Sequence, residues 1–111
     1  MSQPVLIKVY ASLWPATDAL AAAVKTATLA ALPAPPEIAL SAGLLTLSFE
    51  GVFFPIDELA EAVEASAPPD LQGKIDLLDL ENWELRRYLA ASGKLGVHSA
   101  PLNNVLDYSG H

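Results

Sequence analysis

At 111 residues and 52% hydrophobic content, the chain has the size of one domain and enough apolar material for a core without disulfide or metal staples. It has no cysteine, which excludes disulfide frameworks, thiolate zinc sites, iron–sulfur clusters and cysteine nucleophiles. Thirteen acidic against six basic residues leave a net charge of −7, which opposes phosphate backbones and anionic lipid headgroups, so neither nucleic acid nor membrane is an expected partner.

No cationic segment precedes an apolar run near Met1, and Lys8 interrupts the one candidate run. The Ala19–Ala31 stretch carries Lys25, Thr26 and Thr28 and is too short to span a bilayer. These features predict a cytoplasmic protein.

A first strand is predicted over Val5–Tyr10, apolar enough on both sides to be central in a sheet. Ser12, Pro15 and Asp18 mark a helix entry, and Leu20, Ala23, Val24, Ala27 and Ala31 form the inner stripe of a helix over about 16–32. Pro33, Pro35 and Pro36 end it. In the next segment Ile38 and Leu40, then Leu45, Leu47 and Phe49, alternate with small or polar residues. The Ser41-Ala42-Gly43 link turns these two strands into a hairpin. Ile56, Leu59, Ala60 and Val63 then fall on one stripe of a second helix, closed by Pro68 and Pro69. A fourth strand follows over Lys74–Leu80, its alternation slipping at Leu77 and Leu78 through a bulge or burial on both faces.

Residues 83–91 fit either a helix, with Leu85, Tyr88 and Leu89 as its stripe, or a strand that turns at Ser92-Gly93-Lys94 into a last strand, Leu95–Ser99. The strand is the better choice because a second hairpin would extend the sheet. The β-α-β-β-α-β order predicts one α+β domain over 1–111: a two-layer, ferredoxin-like (split β-α-β) sandwich with both helices on one face of an antiparallel sheet. Its core covers about 4–80, and 81–111 forms a C-terminal extension carrying the extra hairpin. The resemblance is to a widely shared fold alone, which leaves function open.

Few residues suggest chemistry. Asp57, Glu58, Glu61 and Glu64 line one side of the second helix, as an ordinary solvated face would. His98 and His111 lack metal-ligand spacing, so no metal and no cofactor are expected. Asp76 and Asp79 fall on opposite strand faces, as do His98 and Ser99, which argues against a shared-proton pair or a nucleophile–base pair. No catalytic set emerges, and whether the chain is an enzyme stays open.

Trp83, Arg86, Arg87, Tyr88 and His98, followed by Asn103, Asn104 and Tyr108, concentrate arginine and aromatic residues in an otherwise acidic chain. That composition favours recognition, so these are the candidate ligand- or partner-binding residues. The expected function is protein–protein interaction or self-association, for instance as a dimer. The alternative is a sensor or enzyme for a small anionic ligand at Arg87, His98 and Tyr108. The sheet face away from the helices should carry Leu6 and Tyr10 among Lys8, Thr46, Ser48 and Glu50, covered by a second subunit or by Leu102, Val105, Leu106 and Tyr108 of the tail.

Overall fold

The structure, a computed structural model, describes residues 5–29, 32 and 36–102. Six strands and two helices follow one another as β1 (Ile7–Trp14), α1 (Asp18–Leu29), β2 (Glu37–Ser41), β3 (Leu44–Gly51), α2 (Ile56–Ser66), β4 (Gln72–Asp79), β5 (Glu84–Ala91) and β6 (Lys94–Pro101). All six strands join one antiparallel sheet in the order β2-β3-β1-β4-β5-β6.

This corrects the ferredoxin-like sandwich expected from the sequence. Residues 84–101 are not an appendage to a finished core. β5 pairs with β4 without a break from Gly73↔Ala90 to Asp79↔Glu84, and β6 pairs with β5 along its whole length. Tyr88 and Ala90 of β5 are buried in the same cluster as Val9 of β1 and Leu47 of β3. The apolar surface of the helix layer therefore extends beyond β4, and two further strands are recruited to bury against it. The result is a strand-rich, six-stranded antiparallel sheet with two helices, wider than the simple split β-α-β pattern.

Each element follows from its residue pattern. In β1, Val9 and Leu13 are buried whereas Tyr10 and Trp14 on the other side are exposed. β1 runs four residues past the predicted end, because Ala11 and Leu13 continue the inward alternation. Ser12 is thus a strand residue, and the cap of α1 is Thr17, whose Oγ1 accepts from Leu20 N at 3.1 Å. Within α1, the buried Thr28 hydroxyl donates to Val24 O at 3.0 Å, so it adds no unsatisfied group to the core. α2 buries Ile56, Leu59 and Val63. Phe54, just before it, meets Phe49 of β3 with ring centroids 5.1 Å apart.

Both tight hairpins use two left-handed residues, Ala42 (φ 51°) with Gly43 (φ 81°) and Ser92 (φ 53°) with Gly93 (φ 79°). Such turns match the natural strand twist and fix register. The slip at Leu77 and Leu78 is burial on both faces: the pairing of β4 with β1 stays continuous, with Leu77 buried on the helix side and Leu78 half-buried opposite.

Candidate functional site

Both helices, α1 and α2, cover one face of the sheet, and among the described residues neither lies over the other face. Strand parity assigns its residues. One cross-strand row on this open face takes a residue from every strand: Glu37, Ser48, Tyr10, Asp76, Arg87 and His98. A neighbouring row holds Ala39, Thr46, Ser12, Lys74, Leu89 and Gly96. Another holds Glu50, Lys8, Leu78, Leu85 and Ala100, and here the face is partly covered, with Leu85 buried and Leu78 half-buried.

At the centre of this face Arg87 grips Asp76 with two parallel bonds, Nε to Oδ1 at 2.7 Å and Nη2 to Oδ2 at 3.0 Å. The fork geometry of guanidinium and carboxylate is matched, and the short contact holds the Arg87 guanidinium above its ordinary pKa. Lys74 Nζ stands 3.8 Å from Asp76 Oδ2, and Lys8 pairs with Glu50 at 3.6 Å. With Asp76 engaged by two cations, its carboxylate is a structural anchor and not a free general base.

Around these ion pairs lie exposed apolar side chains: Tyr10, Trp14, Leu44 and Leu89, each between 41% and 44% accessible. The charge distribution is lopsided as well. Among the described residues, Lys8, Lys74, Arg87 and Lys94 lie on the open side of the sheet, with Glu37, Glu50 and Asp76 as its acids. The chain as a whole is at −7, so most of its negative charge lies elsewhere, including Asp57, Glu58, Glu61 and Glu64 on α2.

The candidate residues named from the sequence separate. Arg87 and His98 are neighbours across the β5–β6 pairing. Arg86 and Tyr88 project to the helix side; Tyr88 is buried, and its hydroxyl accepts from Arg86, which raises the arginine's pKa with help from the charges of Asp57 and Glu84. Trp83, read as a strand residue, occupies the β4–β5 turn with a left-handed φ of 54°. Asn103, Asn104 and Tyr108 lie outside the described residues.

That turn is organised by Asp79. Its Oδ1 accepts from Glu81 N and Asn82 N, both at 3.1 Å, and its Oδ2 accepts from Asn82 Nδ2 at 2.8 Å. The Asn82 amide first, then these backbone donors, hold the Asp79 carboxyl below the usual carboxylate range. Asp79 and Asp76 are on opposite sides of β4, and His98 and Ser99 on opposite sides of β6.

Sequence reasoning missed Trp14, Leu44, Lys74 and Asp76 as members of the open face. The signal for Trp14 was the unbroken alternation past Tyr10. Among the described residues no group of three or more histidine, aspartate or glutamate side chains could hold a metal, and no helix is long and apolar enough to cross a membrane. Shallow depressions of about 160 Å³ at Glu37–Ala39 with Thr46–Ser48, and about 170 Å³ beside Asp79 and Asn82, are small for an organic ligand. Comparison with protein-family models, with curated proteins and with solved structures finds no match.

Proposed function

We propose that this chain is a binding domain whose helix-free sheet face docks another protein chain. The observation that carries the reading is the open face itself: Tyr10, Trp14, Leu44 and Leu89 are exposed around a bidentate Arg87–Asp76 pair. Aromatic and arginine side chains ringed by polar groups are the usual composition of a protein interface. Neutral pairing of most charges on this face lowers the cost of excluding water from it.

A site for a small anionic ligand at Arg87 and His98 has less support, because Arg87 already spends two donors on Asp76. A cytoplasmic setting without nucleic-acid partners belongs to the same proposal; the interleaved acids on the open face leave no continuous basic strip for a phosphate backbone.

Hydroxyl-radical labelling tests the reading. Tyr10, Trp14 and Leu89 should be labelled several-fold less in intact cells than in the dilute purified chain, while Phe53, exposed at the β3–α2 connection, should be unchanged. Equal labelling of all four in both settings would refute a docking role for this face.

A further inference from the structure

We infer that the β6 edge of the sheet takes up an extended segment of another protein as a further strand, one that alternates acidic and apolar side chains. The inference goes beyond the docking role proposed above and rests on the main chain of β6 and on its own side chains.

β6 borders the sheet, and among the described residues its one paired neighbour is β5. The two-residue turn at Ser92 and Gly93 makes Ala91↔Lys94 the closing, doubly hydrogen-bonded pair. The alternation of an antiparallel ladder then turns the main-chain groups of Gly96, His98 and Ala100 towards β5, and those of Leu95, Val97 and Ser99 outwards. Two contacts fix this phase. Leu102 N–H, in the inward phase, donates to Trp83 O at 3.0 Å, whereas Leu95 N–H, in the outward phase, donates to Glu64 Oε2 on α2 at 2.9 Å. At the far end Pro101 falls in the outward phase and has no N–H. Between the Glu64 cap and Pro101, the N–H and C=O of Val97 and Ser99 face away from the sheet, and both residues are exposed.

Length singles out this edge. β6 has eight residues, paired with β5 without a break, and such an edge templates another strand through its main chain. β2, at the other margin, has five residues, the short form that blunts an edge.

The side chains of β6 define what the added strand must carry. On the helix side Leu95 packs against the core and Val97 is 55% exposed, so apolar side chains opposite these two extend the core. On the open side Lys94 and His98 flank Gly96, and β6 contains no acidic residue. Among the described residues neither Lys94 nor His98 takes part in an ion pair. Carboxylates opposite them supply the complementary charge. Gly96 forms a notch: its partner across the ladder is Leu89, 43% exposed, and a Cβ at Gly96 would meet nothing within 4 Å. A large apolar side chain opposite Gly96 lies over it and onto Leu89. Opposite residues 94–98 the segment therefore runs acid, apolar, large apolar, apolar, acid. A second copy of β6 offers no acid, so self-pairing of this edge leaves Lys94 and His98 unmatched.

The test is titration of the isotope-labelled 111-residue chain with a capped heptapeptide, Thr-Glu-Val-Leu-Val-Glu-Thr, which reads the same in both directions and so fits either strand polarity. The expected result is saturable binding in which the Val97 and Ser99 amides shift and exchange more slowly with solvent, while those of β2 do not. The same peptide with lysine in place of both glutamates should bind about tenfold more weakly, and Lys94→Glu should reverse that preference. Gly96→Val fills the notch at a position of ordinary backbone conformation, so it should weaken binding about tenfold and leave the denaturation midpoint unchanged or higher. No saturable shift of Val97 and Ser99 at millimolar peptide overturns the inference, and so does unchanged affinity in both Gly96→Val and Lys94→Glu. In sedimentation of the chain alone, a mass that grows with concentration and falls back on adding the peptide would give the edge to another copy and overturn a foreign strand. Failure of the peptide with Tyr10 and Trp14 still protected in cells overturns the edge strand and leaves the docking role of the open face standing. Binding of the peptide with those residues equally labelled in both settings removes that role and supports the edge.

Discussion

The Arg87–Asp76 pair permits a sharp test of the open face, because its two partners differ in exposure. The Asp76 side chain is 14% accessible and the Arg87 side chain 37%. Removing Asp76 leaves a guanidinium that water can reach, so Asp76→Ala should cost about 1 kcal/mol, the loss of a charge-assisted bond discounted for solvent screening. Removing Arg87 strips two donors from a carboxylate that is mostly out of water, with only Lys74 at 3.8 Å remaining. Arg87→Ala should therefore cost more, about 2 kcal/mol, since an underpaired, largely buried charge bears the desolvation penalty. The double variant should show a coupling of about 1 kcal/mol, above the median for exposed pairs because the geometry is bidentate. Urea denaturation of the four proteins, below the concentration of any self-association and with unchanged m-values, measures all three quantities. A coupling under about 0.3 kcal/mol, or Asp76→Ala as the costlier single change, would refute the reasoning.

Three other outcomes are expected. A Cβ on Gly73 would stand 2.0 Å from Ser12 O and 2.9 Å from Leu13 Cα, at a φ of +124°, and β1 cannot retreat without losing its pairing with β4. Gly73→Ala should thus cost more than about 3 kcal/mol, against about 1 kcal/mol for Gly43→Ala, which meets nothing; equal denaturation midpoints would contradict the register. The depressed pKa of Asp79 means that its stabilisation is complete above the unfolded-state value of about 4 and is lost as pH falls through the folded-state value. Melting curves of the parent and Asp79→Ala should accordingly converge as pH drops from 5 towards 2, and a constant gap would show that the Asp79–Asn82 bonds are not what depresses it. Leu102 is 5% exposed, buried outside the main cluster like Leu85, with its N–H donating to Trp83 O at 3.0 Å. Leu102→Ala should lower stability by about 2–3 kcal/mol in chemical denaturation, and a loss under about 0.5 kcal/mol would remove this residue from the fold's support.

What could be read from the residues was the part set by neighbours in the chain. The hairpin over 37–51 and the stripe of α2 rest on periodicity and a two-residue turn, both local, and the facing of Arg87 and His98 follows from the Ser92-Gly93 turn by counting outward. The Asp76–Arg87 contact depends on how β4 meets β5 across a longer loop, where Trp83 adopts a left-handed conformation that a tryptophan rarely takes. No spacing rule announces that turn. The length of β1 was hidden differently. Ser12 beside Pro15 has the composition of a helix entry, yet in the sheet Ser12 is an outward-facing strand residue opposite Thr46 and Lys74. A cap signal and a strand edge can thus use the same residue types, and the continuing alternation of Val9, Ala11 and Leu13 decides between them.

The wider sheet also changes what the composition means for partners. Read over the whole chain, −7 argues against anything anionic. Among the described residues, folding places four of the six basic residues and three acids on the side of the sheet away from α1 and α2, so the electrostatics of the average and of the face differ in sign. Attraction at contact depends on the local potential within about a Debye length of the surface, about 8 Å at physiological salt, which is shorter than the thickness of this two-layer slab. The acids of α2, one layer away, are therefore screened from whatever meets Tyr10 and Arg87. Net charge governs long-range repulsion between copies of this chain, whereas the alternating charges of one face govern the potential within a Debye length of that face.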